Sequence, residues 1–183
     1  MASAFSHAVV AVAVGQALSP GERTRTAVLS GVFCAVAPDF DAIFHHFGVS
    51  PDSMWGHRGI THSIFFAVLL AGLIARTRYR KESLARQARF FLYLFACGVS
   101  HGILDAMTTG GRGIAFFAPF RTDRYFFRFR PILVSPISIQ RFFTERGIRI
   151  MLNEFRWIWV PSLVVGFLLN ALRRRELQYA RSN

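Results

Sequence analysis

Histidine and acidic side chains recur in short motifs along this chain of 183 residues, and each motif adjoins an apolar segment. Imidazole and carboxylate groups are the usual ligands of hydrolytic zinc sites. Ionisable groups next to membrane-length apolar segments are costly and are typical of functional sites. The candidate metal ligands are His7, Asp39, Asp41, His57, His62, His101 and Asp105.

The acidic residues occur in two different patterns. His101 and Asp105 are four residues apart, which places both side chains on one face of a helix, where they can share one metal or bridge two. The alternative is a buried pair in which the carboxylate only orients the imidazole. Asp39 and Asp41 follow Pro38, and both can face one pocket only if the helix unwinds at its end. Their alternative is a helix end that reaches water.

The remaining histidines carry less information individually. His57 and His62 bracket a turn, with Thr61 placed to cap the following helix, so both rings can enter the site from one loop. Two histidines in a loop are otherwise an ordinary surface feature, and a lone His7 near the start of a chain is usually solvated. Further candidates, placed beyond the acidic pair, are His45 and His46.

The composition predicts a membrane protein. Hydrophobic residues make up 52% of the chain, 20 residues are Phe, and the net charge of +12 comes from arginines that lie between apolar runs. We therefore expect a single all-α domain over residues 1–183, an integral membrane bundle of about five helices, and no nucleic-acid partner. Cys34 and Cys97 are predicted to pack inside it. The apolar segments are 5–18, 26–44, 60–75, 90–107 and 155–172.

The basic loops predict the orientation. Residues 76–89 hold six basic side chains and one acidic one, and further arginines cluster at 23–25 and 173–181. Such loops stay on the cytoplasmic side. All seven candidate ligands then lie at the opposite ends of their helices, so the sequence predicts a metal site at the external face of the membrane, with several membrane crossings.

The number of candidate ligands bears on the chemistry. Seven donors exceed the four that one tetrahedral zinc ion needs. We therefore expect a divalent metal ion, with zinc preferred, in a site that could hold two ions. Asp41 or Asp105 is the expected proton acceptor for an activated water. No base-and-carboxylate arrangement is readable beside a serine, which disfavours a serine nucleophile.

The connection at 108–150 is rich in arginine and aromatic residues and is predicted to be external. Guanidinium groups bind phosphate in a bidentate way, and aromatic rings favour the membrane interface. The alternative interpretation is that these residues anchor the protein to lipid headgroups and have no role in substrate binding. We expect the substrate contacts to come from Arg58, Arg121, Arg124 and Tyr125.

The motifs together resemble a known family. SHAV at 6–9, PDFD at 38–41, GHRGITHS at 56–63, SHGILDAMTTGG at 100–111 and PFRTDRYFF at 119–127 look like those of the bacterial inner-membrane metal-dependent hydrolases, some of which are described as LexA-binding. The resemblance implies a multi-helix membrane hydrolase with the seven ligands above. Arg121 stands where the family often has Ser. The donor types are also similar to those of zinc-dependent phospholipase C, as an analogy of chemistry alone.

These observations predict a membrane-bound hydrolase that cleaves a phosphoester in a lipid or lipid-linked substrate with a metal-activated water. The first alternative is hydrolysis of a carboxylic ester or amide of a lipid. The second is a metal-stabilised scaffold that binds a protein and catalyses nothing. The short helices leave room for oligomerisation.

Overall fold

The structure is a computed structural model, and it describes residues 1–18, 21–22, 24–135 and 144–182. Regular structure within these ranges is entirely helical, without a β-strand, which confirms the predicted all-α class. The last two α-helices are joined by a π-helical turn, Phe155–Trp159, into one continuous helix, so the described chain forms five helices. The α-helices are α1 (Ala4–Val14), α2 (Arg25–Val36), α3 (Ile64–Arg78), α4 (Leu84–Ala106), α5 (Glu145–Glu154) and α6 (Val160–Ser182).

Hydroxyl side chains define where the first four helices begin. Ser3, Thr24, Ser63 and Ser83 each accept a hydrogen bond from the backbone N–H three residues later. Such N-caps satisfy donors that have no partner within the helix. The cap of α3 is therefore Ser63, and the predicted cap Thr61 was wrong because its hydroxyl donates to Asp41.

Several boundaries differ from those predicted. Helix α4 begins at Leu84 and the last helix at Glu145, in both cases in polar stretches that the apolar pattern did not include. Both extensions place charged residues on helices rather than in loops. Residues 136–143 of the predicted external connection lie outside the described residues.

Small side chains allow α1, α2 and α4 to pack closely. A Cβ at Gly31 would overlap the hydroxyl of Tyr93, which donates to the backbone oxygen of Ala11 at 3.1 Å. Cys34 and Cys97 lie in the same core as free thiols, as predicted. Small residues at helix contacts are typical of membrane bundles.

The helix ends separate by charge. At one end, Glu22 accepts from Arg89 at 2.9 Å, and Arg173 donates to the backbone oxygen of Leu18. Arg86, Arg89 and Arg173 therefore share this end of the bundle with Glu22. The start of α1 and the ends of α4 and α5 meet at the other end, where Ala2 contacts Asp105 and Ser3 contacts Glu154.

Two helices are long and apolar enough to cross a membrane, judged by length and composition. They are Arg25–Phe44, which combines α2 with the following 3₁₀ helix, and Glu145–Tyr179. The helix at Ala4–Ala17 is apolar but shorter. These two candidate spans agree with the expected membrane bundle, although they are fewer than the five apolar segments.

Candidate metal centre

Three segments bring histidines and carboxylates together at one end of the bundle. Asp39 lies in the 3₁₀ helix Ala37–Phe47, which continues α2, and His62 ends the short 3₁₀ helix before α3. His101 and Asp105 lie on one face of the last turns of α4. One donor atom from each of these four residues lies within 4.8 Å of the others, so the group could hold a metal ion.

The spacing of these donors suits a metal better than direct hydrogen bonds. Nε2 of His101 is 3.4 Å from Oδ1 of Asp39, and Nε2 of His62 is 3.8 Å from carboxylate oxygens of both Asp39 and Asp105. These distances are mostly too long for a hydrogen bond. Donors about 2.0–2.1 Å from a tetrahedral zinc ion are about 3.3 Å apart. A small contraction of the group would therefore reach zinc coordination.

The same donor atoms lack hydrogen-bond partners, although Oδ2 of Asp105 also forms an ion pair with Nε of Arg58 at 3.3 Å. Within the described residues, the buried side-chain atoms without a hydrogen bond include both oxygens of Asp39, Oδ2 of Asp105, and Nε2 of His62 and His101. Native proteins rarely leave buried polar atoms unpaired, because each costs about 1–3 kcal/mol. Four residues that leave their unpaired atoms in one place fit a divalent cation.

Neighbouring groups orient the two imidazoles. Nδ1 of His101 donates to the backbone oxygen of Ala35 at 2.7 Å, which leaves Nε2 as the lone-pair donor. Nδ1 of His62 is 3.2 Å from Oδ2 of Asp41, so its Nε2 also faces the group. A hydrogen bond that fixes the far nitrogen is the usual support of a metal-bound histidine.

A second group consists of Asp41, His57 and His62. Oδ1 of Asp41 is 2.6 Å from Nδ1 of His57, and Oδ2 accepts from Thr61 at 2.5 Å and from the backbone N–H of Arg58 at 3.2 Å. The carboxylate is thus fully hydrogen-bonded, unlike those of the first group. This arrangement favours Asp41 as an orienting carboxylate and favours one ion over two.

Local backbone structure explains how both aspartates reach the site. Side chains two residues apart diverge by about 160° on an α-helix but by about 120° on a 3₁₀ helix. The helix does not unwind here, as was expected, but tightens to 3₁₀ winding at Ala37, which brings Asp39 and Asp41 closer to one side. His46 is exposed and belongs to neither group, and the side chain of His45 lies outside the described residues.

His7 stands beside the first group. Its ring stacks on His101 at 3.8 Å between centroids, and Nε2 is 3.7 Å from Oδ1 of Asp105. The ring is fully buried, and neither nitrogen has a hydrogen-bond partner. The structure thus brings all seven predicted ligands into one cluster, with His7 at its inner side.

The sequence comparisons can now be set beside this geometry. The chain matches the family described as YdjM inner membrane protein over residues 1–177. It belongs to that family. The inner membrane protein YbcI of Escherichia coli (strain K12) is 32% identical over 177 residues, which cover 95% of this chain and 100% of YbcI. No solved structure matches the chain.

Arg58 has an unusual backbone conformation and a buried side chain. Its φ of 69° lies in the left-handed region, its side chain is buried, and its Nε is 3.3 Å from Oδ2 of Asp105. The guanidinium also donates to Thr108 at 3.1 Å and to the backbone oxygen of Gly110 at 2.9 Å. Strained backbone of this kind persists where the surroundings hold it in place. In this structure the side chain supports Asp105, and its predicted contact with substrate stays a prediction.

The other predicted substrate residues lie farther out. Arg124 donates to backbone oxygens of Pro51, Ser53 and His57 at 3.0–3.1 Å, so it fastens the loop that carries His57. Arg121 is exposed and pairs with Asp123 at 3.0 Å. Tyr125 pairs through its backbone with Ile114, and its ring packs on Phe117.

Electrostatics distinguish His62 from an ordinary histidine. Burial lowers its pKa, but the neighbouring carboxylates of Asp39 and Asp41 more than offset this effect and raise the pKa to about 9. A cation in the group would replace the proton as the balancing positive charge.

Sequence reasoning missed Glu154. It is fully buried on α5 and accepts hydrogen bonds from the backbone N–H of Ser3 and the hydroxyl of Ser6. The signal was an acidic residue directly before the apolar run 155–172. It was overlooked because no histidine accompanies it.

Proposed function

We propose that this family member is a membrane-bound, metal-dependent hydrolase with one divalent ion held by Asp39, His62, His101 and Asp105. The observation that carries the proposal is the convergence of their unpartnered buried atoms. Two nitrogen and two oxygen donors suit zinc. An ion bound there would supply a Lewis acid that activates water and polarises the scissile group.

Asp41 and His57 are the proposed acid–base pair. Nδ1 of His57 faces Asp41 at 2.6 Å, so a carboxylate holds the ring and leaves Nε2 free to accept or return a proton. The side chain of His57 is 17% exposed, whereas those of His62 and Asp105 are fully buried. Asp105 is the less favourable base, because Arg58 and the backbone N–H of Ala2 already stabilise its negative charge.

A lipid phosphoester is the proposed substrate class. Within the cluster, the side chains that retain exposure are His57 and Asp39. The exposed Trp55 lies two residues before His57, and the exposed Phe40 directly follows Asp39. Exposed aromatic rings suit acyl chains and the membrane interface. Arg121 lies at the end of an apolar groove of about 500 Å³ lined by Phe65, Phe116, Phe117 and Phe120, among others, and supplies a cation near that surface.

The proposed site faces the external side of the inner membrane in a chain with several crossings. The arginines that contact Glu22 and Leu18 occupy the end of the bundle away from the cluster. Because basic segments stay cytoplasmic, this separation supports an external cluster. A reporter fused after Arg86 should therefore read cytoplasmic, and an external reading would reverse the assignment.

The second candidate is a metal-stabilised scaffold that binds a protein partner. The burial of the four donor side chains favours it, since structural metal sites are closed and catalytic ones keep an open position. The two candidates agree on the ion and differ in whether the site turns over a substrate.

The test is a product analysis with the detergent-purified, zinc-loaded protein and mixed phospholipid vesicles. We expect release of a phosphorylated or free headgroup, abolished in Asp39→Asn with loss of zinc. In His57→Gln we expect slow turnover with zinc retained. Release of fatty acid with the headgroup intact would indicate the acyl hydrolase. Stoichiometric zinc without any product would favour the scaffold, and a folded protein that binds no divalent metal would refute the proposal.

A further inference from the structure

We infer that Glu154 is a positioning residue that, through the first turn of α1, holds His7 stacked on the proposed metal ligand His101. The inference rests on the proposed ion, and it extends the site to a residue of the C-terminal candidate span. It assigns a role to a buried carboxylate that the proposed hydrolysis does not use.

Among the described residues, the hydrogen bonds of the Glu154 side chain go to the N-cap and the first turn of α1. Oε1 accepts from the backbone N–H of Ser3 at 2.7 Å, and Oε2 accepts from the hydroxyl of Ser6 at 2.6 Å and from that of Ser3. Trp159, one turn along the same helix, donates its indole N–H to Ser6 at 2.8 Å. Two residues of the helix Glu145–Tyr179, Glu154 and Trp159, are therefore hydrogen-bonded to Ser6, the residue directly before His7.

A buried charge at this position needs a reason. Within the described part of the chain, Glu154 forms no ion pair with Lys or Arg, and its burial costs several kcal/mol before compensation. Two hydroxyls, one backbone N–H and the positive end of α1 compensate the charge. The carboxylate accepts three hydrogen bonds at once, and together they fix the rotation of the first helical turn.

The first turn is fastened on its other side by the metal centre. The backbone N–H of Ala2 donates to Oδ1 of Asp105 at 2.6 Å. His7 therefore lies on a helical turn held by Glu154 at one side and by a proposed metal ligand at the other. The ring of His7 is held away from solvent, and its two buried nitrogens have no hydrogen-bond partner.

The placement of His7 supports the proposed ligand His101. The two rings stack at 3.8 Å between centroids with 17° between their planes, so they cannot both point a nitrogen at one ion. Nε2 of His7 is 3.7 Å from Oδ1 of Asp105, and His7 belongs to neither group of metal donors. A fifth protein donor would also fill the position that a catalytic zinc keeps open for water. Holding the ring of His7 in place therefore holds His101 in the orientation that directs its Nε2 towards the proposed ion.

The experiment compares Glu154→Gln, His7→Ala and the double variant in detergent. Zinc affinity is measured by chelator competition, and coordination is measured from the visible absorption of the Co²⁺-loaded protein. We expect each single variant to weaken zinc binding by about 10–100-fold, the usual effect of removing support from a ligand. Both should change the Co²⁺ spectrum in the same way, and the double variant should be no weaker than His7→Ala alone.

Glu145→Gln is the matched control, because Glu145 begins the same helix, is exposed and pairs only weakly, at 3.5 Å, with Arg149. It should match the wild type in both measurements. Ser6→Ala removes one of the same hydrogen bonds with little change in volume, and it replaces Glu154→Gln if that variant does not assemble.

Additive losses in the double variant would overturn the inference, as would a Glu154 variant that melts earlier but keeps the wild-type affinity and spectrum. In either case the four-residue site would stand. A wild type that binds neither zinc nor Co²⁺ would instead overturn the proposed function together with this inference.

Discussion

Removal of the His101 imidazole should separate metal binding from folding. The ring contributes Nε2 to the four-donor group, and its Nδ1 donates to the backbone oxygen of Ala35. His101→Ala therefore deletes one proposed ligand and leaves one carbonyl without its partner. We expect a large loss of zinc affinity and a smaller loss of stability in the metal-free protein.

The structure sets the size of both effects. Zinc sites with four protein ligands bind with about 10–16 kcal/mol, which divides into about 2.5–4 kcal/mol per ligand. One ligand of four should then change the Kd by about 10²–10³-fold. The unpaired carbonyl of Ala35 should destabilise the metal-free fold by about 1–3 kcal/mol.

The assay measures zinc by mass spectrometry after dialysis against graded concentrations of a chelator, beside thermal unfolding in detergent with and without zinc. His46→Ala is the control, because His46 is exposed and outside both metal groups. Wild type and control should keep near-stoichiometric zinc at chelator concentrations that strip the His101 variant.

Zinc should also raise the unfolding temperature of the wild type more than that of His101→Ala, since binding to the folded state stabilises it. Equal zinc retention in the two proteins would refute the reasoning. So would a stabilisation by zinc that does not depend on His101, because the ion would then bind elsewhere.

Three further outcomes follow from other parts of the structure. Arg124→Ala should increase protease cleavage between residues 51 and 57 while zinc content stays unchanged, because the guanidinium binds loop carbonyls and none of the four donors; loss of zinc would contradict this separation. Zinc affinity should rise about tenfold per pH unit between about pH 6 and 8, because the pKa of His62 near 9 means that the ion displaces a proton throughout this range; titration calorimetry in buffers of different ionisation enthalpy should detect that proton, and a flat profile would contradict its release. Gly31→Ala should lower the unfolding free energy by about 1–3 kcal/mol, because the new methyl group would overlap the Tyr93 hydroxyl, whereas Gly21→Ala meets nothing within 4 Å and should be neutral; equal unfolding temperatures would show that the helices yield without cost.

The sequence determined the helical class and the identity of the polar cluster. Apolar segments of helical length are a local property, so five helices were readable without tertiary information, whereas the cap predicted from sequence, Thr61, was wrong. The four-residue spacing of His101 and Asp105 also fixed their common face, because it depends only on the helix repeat. Arginine-rich loops predicted which helix ends lie together, and the charge separation in the structure agrees with that grouping.

Tertiary structure decided how the cluster divides. The sequence offered seven equivalent donors, but whether a carboxylate is free or hydrogen-bonded depends on neighbours that are distant in the chain. Both oxygens of Asp41 are hydrogen-bonded to residues within 57–62, whereas the oxygens of Asp39 have no hydrogen-bond partner. Only this difference separates proposed ligands from the residues that orient them, and it favours one ion.

The same dependence on distant contacts explains the arginines and Glu154. Arg58 and Arg124 are of the residue type that contacts phosphate. In the fold, however, Arg58 pairs with Asp105, and Arg124 donates to loop carbonyls. Glu154 contacts Ser3 across 151 positions of sequence. A residue type limits the bonds that a side chain can make, and the partner is chosen when the helices pack.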